Sequence, residues 1–288
     1  MKSPLLKHFF ASLFGLHISL VMMAQTVKVG IGTGVSAYFG DLTHTQQFFQ
    51  QVTPSASADV SIDFNSRFRS RLNIAYTPVR ADDKKSIYWP TRNRNLNFKS
   101  DVFEVSALFE VDLFNSENVM ITPYLFGGPG IFFFNPTTID RYGRRVELKY
   151  VGTEVQPGAL AQAALAGKDA AVKQFSQAYK TNALCLVSGF GLRVKVSELI
   201  SLGAEIAYRF TNTDVLDDVS AKEYPNKNLL STYAYQLAFR GDEIKPNAEP
   251  GLQPRGNPLT KDSYYSVQVR MTYQLNLGSG NTYKRWRP

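Results

Sequence analysis

A chain of 288 residues holds one large domain or two ordinary ones. Charged residues make up 19% and aromatic residues 13%, a balance that suits a protein facing something other than water. The net charge is +8, and the single cysteine, Cys185, excludes both an intrachain disulfide and a lipid-bearing cysteine behind a leader.

The N-terminus places Lys2 and Lys7 before an apolar run from Phe9 to Met23 that ends in Ala24-Gln25. This is the layout of a secretory signal over residues 1–24, with residues 25–288 as a single mature domain. An uncleaved membrane anchor is the competing reading, but the run is short. Loss of Lys2 and Lys7 leaves 30 basic against 24 acidic residues, a charge of +6. On an exported protein such a surface points to anionic lipid or glycan, not to nucleic acid. No later segment reaches the roughly 18 apolar residues of a spanning helix. A membrane would have to be crossed by strands.

Eight stretches alternate with period two, the signature of a strand with one apolar and one polar face. The first, from Val27, sets Val29, Ile31, Val35 and Phe39 against Gly30, Gly32, Gly34 and Ser36. The second covers about Ser55–Phe64 with weaker contrast. The third sets Phe68, Leu72, Ile74 and Tyr76 against Arg67, Arg69, Arg71 and Asn73; the fourth sets Phe103, Val105, Phe109 and Val111 against Glu104, Ser106, Glu110 and Asp112. The fifth, Met120–Phe134, is apolar on both faces in places, and its "GGPG" (Gly127–Gly130) predicts a bend or bulge. The sixth spans about Ala183–Val196. The seventh sets Leu202, Ile206 and Phe210 against Glu205 and Arg209; the eighth, "YYSVQVRMTYQLNL", sets Val267, Val269 and Met271 against Gln268 and Arg270.

The connections alternate as well. Short polar turns follow strands two, four and six; long loops cover roughly Leu42–Pro54, Pro78–Asn97, Asn135–Asn182 and Asn212–Asp262. This pattern predicts an all-β, eight-stranded, up-and-down antiparallel transmembrane barrel with its short turns in the periplasm. Its apolar faces would meet lipid. Arg67, Arg69 and Arg71 would pair with Glu104 and Glu110 in a filled lumen, joined by Glu205, Arg209 and Arg270. A soluble sandwich with the apolar faces packed inward also explains the alternation, but less well the loop lengths. Among the loops, Gly158–Lys180 predicts a helix, Thr213–Tyr235 a second short one, and Asp242–Pro258, with four prolines, an extended loop.

The case for catalysis is poor. His44 is the one histidine of the mature chain, with Asp41 three residues before it; a solvated loop histidine is the simpler reading than half of a catalytic pair. Asp214, Asp217 and Asp218 lack calcium-loop spacing, so they and Asp41 are read as loop-structuring carboxylates. No catalytic residue, metal or cofactor is expected. Arg141, Arg144 and Arg145 offer guanidinium forks to lipopolysaccharide phosphate, and "YKRWRP" (Tyr283–Pro288) is a basic aromatic tail. Cys185 reads as a small filler.

Several ordered stretches together, "YFGDLTH", "RNLNFKSDVFEVSALFEVDLF", "TPYLFGGPGIFFFNP", "TNTDVLDDVS" and "DSYYSVQVRMTY", resemble the PorG-like group of Bacteroidetes outer-membrane barrels associated with type IX secretion. The resemblance runs from about Val27 to Leu277. It implies a non-catalytic subunit that contacts a periplasmic ring built of a lipoprotein and its partner. Topology then nominates Asn65, Ser66, Asn115, Ser116, Glu117, Ser197, Glu198 and Arg285 as contacts. The alternatives are a small porin or ligand- or glycan-binding barrel, and a lipid-modifying enzyme.

Overall fold

The computed structural model describes residues 26–43, 51–115, 119–153, 179–225, 227, 230–251 and 254–275. Ten strands follow in chain order: β1 (Thr26–Phe39), β2 (Thr53–Asp63), β3 (Phe68–Tyr76), β4 (Val79–Asp82), β5 (Asn97–Asp112), β6 (Ile121–Ile139), β7 (Arg145–Glu147), β8 (Asn182–Lys195), β9 (Ile200–Thr211) and β10 (Ser263–Leu275). Two short helices, α1 (Trp89–Arg94) and α2 (Thr232–Ala238), lie in the loops.

Neighbouring strands pair antiparallel, and β10 returns to β1, with Val27 opposite Leu275 and Phe39 opposite Ser263. The sheet therefore closes, which leaves no edge to be satisfied. The barrel has eight strands, not ten. β4 continues β3 on β5 in unchanged register, since Phe68 faces Val111, Tyr76 faces Phe103 and Val79 faces Ser100. Thr77-Pro78 interrupts the ladder because proline has no N–H to donate; the Pro78 carbonyl instead accepts Ser36 Oγ (2.6 Å) and Thr53 Oγ1. β7 is the return arm of a hairpin that extends β6 above the rim.

The expected bulge at Gly127–Gly130 is absent. Pairing of β5 with β6 keeps one register from Lys99↔Thr137 to Asp112↔Tyr124, with bridges missing only beside Pro129. The glycines serve close approach: a Cβ on Gly128 would overlap the carbonyl oxygen of Ala107. β6 also runs past the expected end at Phe134, to Ile139.

Burial decides which face is which. In β10, Ser266, Gln268, Arg270 and Thr272 are buried, whereas Val267, Val269, Met271 and Tyr273 are exposed. β5 repeats the pattern, with Glu104 and Glu110 fully buried and Phe103 and Phe109 about half exposed. A soluble sandwich would show the reverse. An apolar exterior around a polar interior is the polarity of a barrel whose solvent is lipid. No helix among the described residues is long and apolar enough to cross a membrane.

At the long-loop end a cap seals the barrel. Leu42, Leu96, Leu148, Leu216 and Val219 join Tyr38 and Phe98 in one buried cluster. The helix expected within Thr213–Tyr235 forms later, as α2, where Ser231 Oγ accepts from the Ala234 N–H (3.1 Å) as an N-cap. The helix expected over Gly158–Lys180 lies outside the described residues apart from its last two. α1 was not expected from the sequence.

The outward placement of Ile206, in mid-β9 and 56% exposed, gives a direct check. Ile206→Arg is expected to cost about 2–4 kcal/mol in lipid vesicles, as for a cation near the bilayer midplane. Denaturant unfolding of the refolded barrel measures it; a change below about 0.5 kcal/mol, as for an ordinary surface site, would mean that this face meets water.

Candidate functional site

The lumen is filled by charge. Glu110 of β5 is fully buried among four guanidinium groups: Arg69 at 3.0 Å, Arg71 at 3.1 Å, Arg193 at 2.6 Å and Arg270 at 3.7 Å. Arg71 and Arg270 share Glu205 at 2.6 and 3.1 Å, and Arg270 also grips Asp59. Arg193 reaches Asp112 at 2.8 Å, and Arg69 reaches Asp63. Further toward the loops, Arg209 pairs with Glu104 at 2.9 Å, and the Tyr264 hydroxyl donates to the same carboxylate. Aromatic faces pack the remaining space: the Arg71 guanidinium lies 4.7 Å from the Phe126 ring centre and that of Arg193 lies 4.2 Å from Tyr124. Removing one member would strand the others in a medium that cannot solvate them.

Of the residues nominated for the lumen, Arg69, Arg71, Glu104, Glu110, Glu205, Arg209 and Arg270 are there. Arg67 is not. It is exposed in the β2–β3 turn, because the strand begins one residue later at Phe68. Glu104 also differs from expectation: its register position on β5 is opposite Ala75, and its arginine comes from β9 across the lumen. Lys28, Asp59, Asp63, Asp112 and Arg193 complete the network. Asp112 stood on a polar face in the sequence; Asp59 was hidden by the weak alternation of β2.

The short-turn mouth is an open polar cavity of about 200 Å³. Asn65, Ser66 and Glu198 line it, beside Lys28, Asp63 and Lys195. Two of the turns are tied by their own side chains. Asn65 Oδ1 accepts from the N–H groups of Arg67 (2.8 Å) and Phe68 (2.9 Å), and Ser197 Oγ accepts from those of Leu199 (3.3 Å) and Ile200 (3.0 Å). Asn115 follows β5 at the same end. Ser116, Glu117 and Arg285 lie outside the described residues, as does His44.

At the opposite end the loop carboxylates organise the cap. Asp41 Oδ2 accepts the Asn257 N–H (2.8 Å), Asp214 accepts Ser220 Oγ (2.8 Å), and Asp218, at φ 65°, accepts the hydroxyls of Tyr179 (2.8 Å) and Thr153. Two buried arginines that the sequence did not single out stitch the loops together. Arg94 binds Asp83 through two nitrogens at 2.7 and 2.8 Å and reaches the carbonyls of Asp41 and Arg255; Arg255 reaches that of Asp218 at 3.0 Å. The Tyr38 hydroxyl lies 2.6 Å from both Asp217 Oδ2 and Asp262 Oδ1. A phenol has one hydrogen to give, so one of the two carboxyls holds a proton and donates it to the phenol oxygen. Burial, then the neighbouring carboxylates, pushes both loop carboxyls well above the usual range. No group of three metal-ligating side chains occurs among the described residues.

Residues 7–153, about half of the chain, match a family described as a domain of unknown function, DUF6089. The chain belongs to the DUF6089 family. No curated protein matches it. Among solved structures it is similar to Neisserial surface protein A, at 9% identity and a TM-score of 0.41 over 88% of this chain and 99% of that one. It is also similar to Ail, the attachment invasion locus protein of Yersinia pestis, in complex with a heparin analogue, at 11% identity and 0.39 over 86% and 97%. A major outer membrane protein from Thermus thermophilus gives 9% and 0.38 over 87% and 100%. The DUF6089 match ends at Thr153, after β7. It takes in Asp59, Arg69, Arg71, Glu104 and Glu110, whereas Arg193, Glu205, Arg209 and Arg270 come from the rest of the chain.

Two consequences can be measured. Glu110→Gln leaves four arginines sharing one carboxylate fewer and is expected to cost about 3–5 kcal/mol in denaturant unfolding. A loss no larger than that of an exposed pair, under about 1 kcal/mol, would mean that the lumen is hydrated. For the cap, a raised carboxyl pKa stabilises the folded state fully below its ordinary 3.8 and loses that contribution as pH rises through the raised value. Hydrogen exchange at Val215 and Val219, corrected for intrinsic rate, should therefore show a cap that loosens from pH 5 to pH 8. Asp217→Asn should flatten that dependence.

Proposed function

We propose that this outer-membrane barrel is a non-catalytic component of type IX protein secretion that anchors a periplasmic ring, a lipoprotein and its partner, to the outer membrane. The observation that carries this reading is the closed lumen. A barrel whose interior is occupied by the Glu110 ion network and sealed by a loop cap does its work at its ends, in contact with other molecules. The resemblance of the ordered strand and loop segments to PorG-like barrels supplies the partner.

With the short turns in the periplasm, as is usual for such barrels, the proposed contacts with the ring are Asn65, Ser66, Asn115, Ser116, Glu117, Ser197, Glu198 and Arg285. The self-tied turns at Asn65 and Ser197 suit a docking surface, because their backbone order is already in place before binding. The long loops then face outward, where the bilayer carries lipopolysaccharide. The porin alternative requires a conduit, and the packing of Arg71 on Phe126 and Arg193 on Tyr124 works against one.

In-cell crosslinking, followed by capture of the tagged chain from gently solubilised outer membranes, tests this. The ring lipoprotein should co-purify with the wild type and be reduced at least tenfold with Glu198→Lys, while the barrel itself is retained. Recovery of the barrel alone, from cells that secrete normally without it, would remove the secretion role.

A further inference from the structure

The outer wall carries more than an apolar belt. Tyr76 of β3 and Phe103 of β5 meet on it as a tilted pair with ring centres 4.8 Å apart, and Phe133 of β6 lies opposite Phe103. Such rings mark the boundary between hydrocarbon and headgroups. The same face continues above them, because β4 prolongs β3 and β7 flanks β6. Lys99 lies four residues from Phe103 on β5 and so on the same side of the sheet, roughly 13 Å farther along the strand. Arg80 of β4 pairs directly with Lys99, and Arg145 of β7 pairs with Ile139.

A groove of about 390 Å³ runs across this flank. Its lining contains four cations, Arg80, Lys85, Lys99 and Arg145, against one carboxylate, Asp82. All four cationic side chains are exposed. Asp82 is engaged by the Lys84 N–H (3.0 Å). Asp101, one pleat nearer the aromatic ring, accepts Arg145 at 3.1 Å and the Tyr76 hydroxyl at 2.8 Å, with Lys99 at 3.8 Å. It orients these side chains without neutralising the set.

A second observation is independent of charge. Gln51 lines the same groove, is only 3% exposed, and its Nε2 has no hydrogen-bond partner among the described residues. A buried amide N–H left unpaired costs about 1–3 kcal/mol, and an acceptor oxygen in the groove would satisfy it.

We propose that this groove binds the phosphate of a phosphorylated sugar headgroup of the outer leaflet, that of lipid A. Arg80 and Lys99 would hold the phosphate oxygens and Gln51 Nε2 a further oxygen of the headgroup. Arg80 and Lys99 lie on the outward face of the wall, beyond the aromatic rings, which favours a lipid-borne phosphate over a soluble one. The assignment rests on the long loops facing outward, as proposed above.

The test uses the full-length barrel, purified in detergent and titrated by native mass spectrometry with diphosphoryl lipid A, dephosphorylated lipid A and inorganic phosphate. Diphosphoryl lipid A should bind the wild type, at least tenfold more weakly the double variant Arg80→Gln/Lys99→Gln, and more weakly also Gln51→Leu. Heat-shifted gel migration verifies that each variant is folded. Equal binding of dephosphorylated lipid A, or undiminished binding by the folded double variant, overturns the proposal. Inorganic phosphate that binds with the same variant dependence, while lipid A does not, overturns the lipid source in favour of a soluble phosphate. Lipid binding in detergent does not involve the ring, so failure here and failure of ring capture are separately visible.

Discussion

The structure depends on Glu110 being surrounded by Arg69, Arg71, Arg193 and Arg270. A barrel turned inside out for lipid cannot rely on an apolar core alone, since many apolar side chains of its strands are already committed to the exterior. Something else must fill eight strands' worth of interior, and polar groups excluded from water must satisfy one another. Here interleaved guanidinium and carboxylate groups do so, with aromatic rings as spacers. Small residues on the lumen face follow from the same demand: a Cβ on Gly189 would overlap the Phe126 ring, on which Arg71 rests. Ion network, aromatic packing and glycine placement are one solution to one shortage of space.

Strand alternation makes the barrel legible in the sequence. Period two needs only nearest-neighbour geometry, so Glu104, Glu110 and Arg270 were assignable to the polar face from the sequence. Who pairs with whom was not. Partners such as Arg209 and Glu104 meet across the lumen, 105 residues apart, and their meeting depends on strand tilt and stagger, which no local pattern encodes. Arg67 shows the limit at a strand end: parity placed it with Arg69, but the Asn65 side chain ties the turn through Arg67 and starts the strand at Phe68. At Gly127–Gly130 the glycines and Pro129 looked like a bulge, whereas the register shows that they allow a close backbone approach.

The loop cap was the least legible part. Arg94 and Arg255 lie in segments with no periodicity, and their work is done on backbone carbonyls far away in sequence. The aspartates of Thr213–Ser220 were recognisable as turn formers, but not that Tyr38, at the end of the first strand, would bring Asp217 and Asp262 together. The basic flank built from β4 and β7 depends on Pro78 letting β3 resume in register, a long-range property written in a two-residue break.

The division of the lumen network between the two halves of the chain bears on how the barrel comes to exist. Up to β5 the paired lumen charges are Lys28, Arg69 and Arg71 against Asp59, Asp63, Glu104, Glu110 and Asp112, three positive and five negative, or −2. From β8 onward they are Arg193, Arg209 and Arg270 against Glu205, three positive and one negative, or +2. Neither half is neutral alone, and each attracts the other. A partly inserted sheet would present uncompensated charge to the bilayer, so the membrane itself opposes arrest at that stage. The two sums cancel only when both parts of the chain are in place, so a neutral, filled lumen belongs to the whole barrel and to neither part of it.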